Sequence, residues 1–338
     1  MKKLKIVSML LAAAVSLMGL TACSGGNEGG GDTVSADSYK VGVIQFGSHP
    51  SLDNCYQGIE EALKASPISD KLDIDLQNGN FDAATCDTIA KNMAAKKYDI
   101  IFAIATPAAV SAYSAAANTD VPVVFCAVSD PIAAGIVEDM DAPGGSCTGT
   151  ADELDFDAQT ELIKALQPDV KKIGVLYTTS EANSVSHLSK FREIASSKGI
   201  EVIDQGVQGA ADIPQAAATL APKVDCINNF TDNNVVASLT VVLEQANAAG
   251  IPVYGSEVEQ VSNGCIASIS IDYVALGRAT GDVGVRILGG ESAGTIPVVR
   301  FSEGTPVVNT EVMERFNIAL PDAYANAEKV TTNTEAAE

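Results

Sequence analysis

From Tyr39 onward, short runs of β-branched and apolar residues alternate with segments of helical period, which restricts the chain to parallel sheets flanked by helices. The strand-like runs are 40–46, 72–78, 99–104, 122–128, 172–178, 201–207, 225–230, 251–256 and 265–271. Most are continuously apolar, as strands covered on both faces must be. In 183–198, Val185, Leu188, Phe191 and Ile194 recur at three- and four-residue spacing before Gly199. Val236, Leu239, Val242 and Ala246 repeat the pattern in 232–249 before Gly250. Thr106-Pro107 reads as a helix start, with the hydroxyl as N-cap and proline at the first helical position.

The series restarts near Lys171, after PGGSCTGT at 143–150. A body of roughly three hundred residues exceeds what one core usually supports, so two Rossmann-like lobes with a cleft between them are expected.

Ahead of this body, Lys2, Lys3 and Lys5 precede an apolar run from Ile6 to Leu20, then Leu20-Thr21-Ala22-Cys23. The run is too short for a stable span and reads as an export signal over 1–22. Cys23 is the expected lipidated mature N-terminus, anchoring the protein on the extracytoplasmic face of a membrane. Residues 23–38, rich in Gly and Ser and acidic, read as a flexible tether.

Forty-three acidic residues against 21 basic ones give a net charge of −22, which speaks against nucleic acid or another polyanion as partner. Solubility explains the acidity better than an acidic-substrate role does. Six cysteines follow Cys23 without a CxxC, so no metal site is expected. Cys126, Cys226 and Cys265 lie in apolar runs, where buried thiols are the usual outcome.

In doubly wound sheets, ligands sit outside the carboxyl ends of the strands, so the loops leaving those ends carry the candidates. They contain Thr106, Ser129, Asp130, Glu181, Asn183, Ser184, Asp232, Asn233, Glu257 and Asp272. Phe46 and Tyr177 stand at strand ends, where their rings could floor a pocket. Hydroxyls, amides and helix starts suit a carboxylate, and Asp130, Asp232, Glu257 and Asp272 suit an ammonium. The arginines, at 192, 278, 286, 300 and 315, all lie outside these loops. A ligand carboxylate would therefore rest on hydroxyls and backbone N–H groups in place of a guanidinium. Taken singly, Thr106, Ser129, Ser184 and Asp232 are equally what ordinary helix caps look like.

Catalysis has little support. His49, in a cleft loop, and His187, on a helix, are the two histidines, and no nucleophile elbow, Walker A loop, GxGxxG or HExxH occurs. Neither catalytic residue nor cofactor is expected. A hydrolase using the cleft carboxylates is the weakest alternative.

The blocks IATPAA (104–109), PVVFCAVSDPIAAGIV (122–137), PGGSCTG, VLYTTSEANSV (175–185), DCINNFTDNNVVAS (225–238) and DYVALGRATGD (272–282) carry a family resemblance. They resemble the ABC-transporter substrate-binding lipoproteins, a family with tryptophan- and aromatic-amino-acid-binding members, over about Tyr39 to Pro321. The resemblance implies a type I periplasmic-binding-protein fold with three hinge crossings. It implies a first lobe of 39–151 plus 272–296, a second of 152–271 plus 297–310, and a C-terminal helix and tail of 311–338. Thr106, Ser129 and Asp130 would form one wall, and Glu181, Asn183, Ser184, Asp232 and Asn233 the other, with Asp272 at a hinge crossing. Ser146 departs from the asparagine usual in the family, with a consequence expected for hinge hydrogen bonding. The implied function is capture of a small zwitterion, an amino acid above all, by a monomer that serves the permease and ATPase of an importer. A sensing receptor for a membrane signalling protein, or an importer subunit for a sugar or purine-like ligand, is the alternative. A sugar is the weaker of these, since the chain has no tryptophan to stack on a ring.

Overall fold

A computed structural model describes residues 38–333. The export signal, Cys23, the tether through residue 37 and residues 334–338 lie outside the described residues. The strands are β1 (Tyr39–Gln45), β2 (Leu72–Asn78), β3 (Ile100–Ile104), β4 (Val123–Cys126), β5 (Cys147–Asp152), β6 (Lys172–Thr178), β7 (Glu201–Val207), β8 (Cys226–Asn228), β9 (Val253–Tyr254), β10 (Ala267–Ser270), β11 (Val299–Phe301), β12 (Thr305–Asn309) and β13 (Glu328–Val330). The helices are α1 (Pro50–Ala65), α2 (Ala83–Ala95), α3 (Thr106–Ala116), α4 (Phe156–Leu166), α5 (Ala182–Ser197), α6 (Ile213–Leu220), α7 (Asn233–Ala237), α8 (Leu239–Ala249), α9 (Val258–Ser262), α10 (Tyr273–Leu288) and α11 (Thr310–Arg315).

Two parallel sheets organise two lobes. The first runs β11-β5-β4-β3-β1-β2 and the second β7-β6-β8-β9. Ile266 N–H donates to Val253 O (2.7 Å) and Gly255 N–H to Ala267 O (2.9 Å), so the small β10-β12-β13 sheet continues the second one. Strand order reverses between β1 and β3 and again between β6 and β8. These are the switch points at which parallel sheets open a crevice. β3 and β4 are buried along their whole length, as continuous apolar runs under helices on both faces should be.

The chain passes between lobes three times: from β5 to α4, from β10 to α10 and from β11 to β12. After the second passage α10 returns to the first lobe and packs on α1 backbone to backbone. A Cβ at Gly58 would stand 2.2 Å from Val274 O, and one at Gly277 2.2 Å from Cys55 O. This close approach fixes the helix whose first turn faces the cleft.

Four details correct the sequence expectations. Val299–Phe301 pairs with β5 in the first sheet, although 297–310 was assigned to the second lobe. The tail contributes β13, parallel to β12. The single helix expected over 232–249 breaks at Ser238 into α7 and α8. Ser146 stands at the start of β5, its carbonyl accepting from Val123 N–H at 2.9 Å, away from the crossings. The six described cysteines are buried free thiols.

Candidate functional site

Helix starts define the cleft. α1 and α3 leave the switch point of the first sheet, α5 and α7 leave that of the second, and α9 follows β9, the last strand in that sheet's order. The first amide groups of a helix have no partner within it. At α2, α4, α7, α10 and α11 the side chains of Asp82, Asp155, Asp232, Asp272 and Asn309 supply that partner. None caps α1, α3, α5 or α9. α6 and α8 also lack one, but each follows directly on another helical turn. Of the helix starts that meet the cleft, α1, α3, α5 and α9 lack side-chain caps, whereas α7 and α10 are capped by Asp232 and Asp272.

These starts surround a pocket with about 290 Å³ of empty space. The first lobe contributes His49, Ser51, Leu52, Ala105, Thr106, Ala127, Ser129, Asp152 and Tyr273. The second lobe supplies Asn183, Thr231, Asn233 and Glu257. Ala105 and Ala127 hold φ of +77° and +55°, a left-handed backbone that costs a residue with a Cβ about 1–2 kcal/mol. Such strain persists where surrounding structure enforces it, and binding sites are a common setting.

Polar groups line this space without being satisfied by the protein. His49 Nδ1, Ser51 Oγ, Thr106 Oγ1, Asn183 Oδ1, Thr231 Oγ1 and Glu257 Oε2 are buried and have no hydrogen-bond partner. Buried polar atoms are almost always paired, and each exception is costly. Six in one pocket, three from each lobe, describe a surface shaped for a polar guest.

Its electrostatics are acidic. Asp152 accepts from Ser129 Oγ (3.0 Å) and Tyr273 Oη (2.9 Å), and burial raises its carboxyl to about 6 despite these two donors. Burial, reinforced by Glu259, also holds Glu257 well above the usual carboxylate range. Glu181 lies behind the pocket, where burial and the Asp232 charge push it up to about 8. Its carboxylate receives Asn233 Nδ2 (2.6 Å), Asn234 Nδ2 (3.1 Å) and Asn183 Nδ2 (3.3 Å), which orients two of the lining asparagines. Burial lowers His49 to about 4, so its ring is neutral.

Of the sequence candidates, Thr106, Ser129, Asn183, Asn233 and Glu257 line the pocket. The others do not. Thr106 is the first residue of α3 and Ala105 occupies the cap, so the threonine hydroxyl is free for the cleft instead of capping. Asp232 caps α7 and is saturated: it accepts from Thr178 N–H (2.5 Å), Thr178 Oγ1 (2.8 Å), Ser184 Oγ (2.7 Å) and Val235 N–H (3.0 Å). Ser184 is therefore a support for Asp232. Asp130 reaches across to the second lobe, where Ser186 Oγ (2.6 Å) and Lys190 Nζ (2.8 Å) hold it. Phe46 is core, edge-on to Phe81 at 5.8 Å, and Tyr177 packs half-buried against the second core. Asp272 caps α10 at the second crossing and is exposed.

Asp152, Ser51 and Thr231 are the polar lining residues that sequence reasoning missed. Asp152 ends β5, whose run CTGTAD lacks apolar periodicity. Its threonines are nonetheless buried, with Thr148 Oγ1 donating to Ile296 O (2.7 Å) and Thr150 Oγ1 bonded to Thr280 Oγ1 (2.8 Å).

Three side-chain contacts join the lobes beside the pocket: Asp130 with Lys190 and Ser186, Asn54 Nδ2 donating to Glu259 Oε1 (2.5 Å), and His49 Nε2 with Asn233 Oδ1 (3.5 Å). The lobes are closed on each other.

Comparison with known proteins agrees with this geometry. The family profile described as ABC transporter substrate binding protein matches residues 40–331. A tyrosine-binding protein of Clostridioides difficile (strain R20291) is 36% identical over 324 residues, covering 94% of this chain and 93% of that protein. An ABC domain from Streptococcus pneumoniae solved in complex with L-Trp is 36% identical and superposes with a TM-score of 0.84 over 87% of this chain and 99% of its own. A ligand-free, open substrate-binding protein with adhesive properties from Clostridium difficile, also 36% identical, covers 87% of this chain and all of its own, yet reaches only 0.67. At equal identity and coverage of this chain, the lobes here lie as in the L-Trp complex and unlike the open form. Fold, cleft and sequence together establish that this chain belongs to the family of ABC transporter substrate-binding proteins.

Proposed function

We propose that the protein binds an aromatic amino acid as its zwitterion between the lobes and delivers it to the permease of an ABC importer, whose ATPase drives uptake. The observation that carries this reading is the set of six buried, unpartnered polar atoms, drawn equally from both lobes around one pocket. The relatives that bind tyrosine and L-Trp point to the ligand class. The ligand carboxylate meets the uncapped starts of α1 and α3 with the Ser51 and Thr106 hydroxyls, where the helix dipoles favour negative charge. Its ammonium meets Asp152, Glu257 and Asn183 Oδ1, and its ring lies on Leu52, Ala105 and Ala127. Closure is a population shift, because neither lobe alone satisfies both ends of the zwitterion.

Family members work outside the cytoplasm. For this chain a lipid on Cys23, which follows the apolar run from Ile6 to Leu20, supplies the membrane attachment. The protein acts as a monomer and turns over no substrate.

Calorimetry with L-tyrosine, L-tryptophan, their methyl esters and their N-acetyl forms tests the reading. Removing either charge is expected to weaken binding about 10- to 150-fold, the range for hydrogen bonds to charged groups. Equal affinity of ester and free acid would contradict the placement of the carboxylate. The pH profile is a second check. An ammonium needs ionised Asp152, which in the unliganded pocket takes a proton near pH 6. Affinity should be level above about pH 7 and fall toward tenfold per unit as pH drops below 6; affinity that rises into acid would sink the assignment.

A further inference from the structure

Beyond the pocket lies a second chamber, most of whose lining the amino-acid site does not share. It adjoins the first through two shared residues, His49 and Glu257, and holds about 680 Å³ of space, part of it open to solvent. Ser48 and Pro50 bound it on the first lobe; Thr240 of α8 and Glu259 and Gln260 of α9 bound it on the second. Four of its lining side chains carry buried atoms with no hydrogen-bond partner: Glu257 Oε2, Glu259 Oε2, Gln260 Oε1 and His49 Nδ1. Glu257 and Gln260 are each only 1% exposed. Three of these four atoms are oxygens that only accept when the carboxylates are ionised, and no lysine or arginine lines the chamber to answer them.

We propose that this chamber is a cation subsite that takes an organic ammonium group. The chemistry follows from the donor set. Two carboxylates and an amide oxygen match the three N–H donors of a primary ammonium, and a positive charge offsets the repulsion by which Glu259 adds to burial in raising Glu257. Among the described residues no group of three His, Cys, Asp or Glu side chains has metal-holding geometry, so the set suits an organic cation better than a bare ion. The ammonium has two sources. It is carried on the far end of the amino acid, passing between His49 and Glu257, or it belongs to a separate amine that binds beside it.

The first source rests on the amino-acid reading above, whereas the second does not. Both are read by calorimetry on the full-length protein and on Glu259→Gln, with p-methyl-L-phenylalanine as the internal reference in each, because Glu259 also faces Glu257 and bonds Asn54 across the lobes. In one arm, p-aminomethyl-L-phenylalanine is compared with p-methyl-L-phenylalanine. In the other, 1,4-diaminobutane is titrated alone. A subsite predicts at least a tenfold gain from the aminomethyl group, or saturable diaminobutane binding, and a loss of that gain of tenfold or more in Glu259→Gln. A gain in the first arm alone assigns the ammonium to the ligand's own tail, and binding in the second alone assigns it to a separate amine. No gain in either arm, or a gain undiminished in Glu259→Gln, overturns the proposal. If neither phenylalanine binds at all, the amino-acid reading fails, and diaminobutane still decides the subsite.

Discussion

Asp232→Ala is expected to cost about 3–5 kcal/mol of folding stability, because four buried donors lose the acceptor they share. Asp232 is fully buried, and both its oxygens are engaged by four donors from β6, α5 and α7. The truncation leaves two backbone N–H groups and two hydroxyls without a partner, each costing about 1–3 kcal/mol if no water reaches it. It also releases the turn that brings Thr231 and Asn233 to the pocket. Urea denaturation followed by far-ultraviolet circular dichroism measures the effect. A midpoint within error of the parent would show that Asp232 is not a structural cap, and would return it to the ligand set that the sequence suggested.

Asp152→Asn is expected to act with opposite signs on stability and binding. With its carboxyl raised from 3.8 to about 6, Asp152 favours the folded state most when protonated. That contribution is complete below pH 3.8 and is lost as pH rises through 6, so at neutral pH the ionised group is a net cost of up to about 3 kcal/mol. Asparagine removes the buried charge and keeps an acceptor for Ser129 or Tyr273. The unliganded variant should therefore melt higher than the parent at pH 7.5, while its affinity for tyrosine falls about 100-fold, the worth of a charge-assisted contact in a dry site. The stability gain should vanish below about pH 4. A variant that binds normally, or one less stable at every pH, would remove Asp152 from the site.

The fold was legible because most of its strands are apolar throughout. All nine expected runs coincide with strands, and Gly199 and Gly250 follow the ends of α5 and α8 in left-handed conformation as expected. What escaped was stabilised by tertiary contacts instead of local pattern. β5 is held by threonine hydroxyls that find partners on α10 and beside Ile296. β11 and β13 are three-residue strands with no periodicity to detect. In the site, residues from the expected loops meet at one pocket, but residue types could not say which side chains the protein keeps for itself. Asp130, Asp232 and Glu257 look alike in sequence. One is held across the cleft by Lys190, one is saturated beneath α7, and one keeps an unpaired oxygen in the pocket. Buried polar atoms left without a partner were the decisive signal, visible only once the hydrogen bonds were known.

A crystal structure of the protein with L-tyrosine tests the central claim most directly. The account predicts the ligand ammonium within about 3 Å of Asp152 or Glu257 and the carboxylate within the same reach of Ser51 and Thr106, a normal hydrogen-bond distance. Those atoms, unpartnered in the protein alone, would then be paired. Tyrosine bound elsewhere, or seated in the pocket with these polar atoms still unpaired, would contradict it.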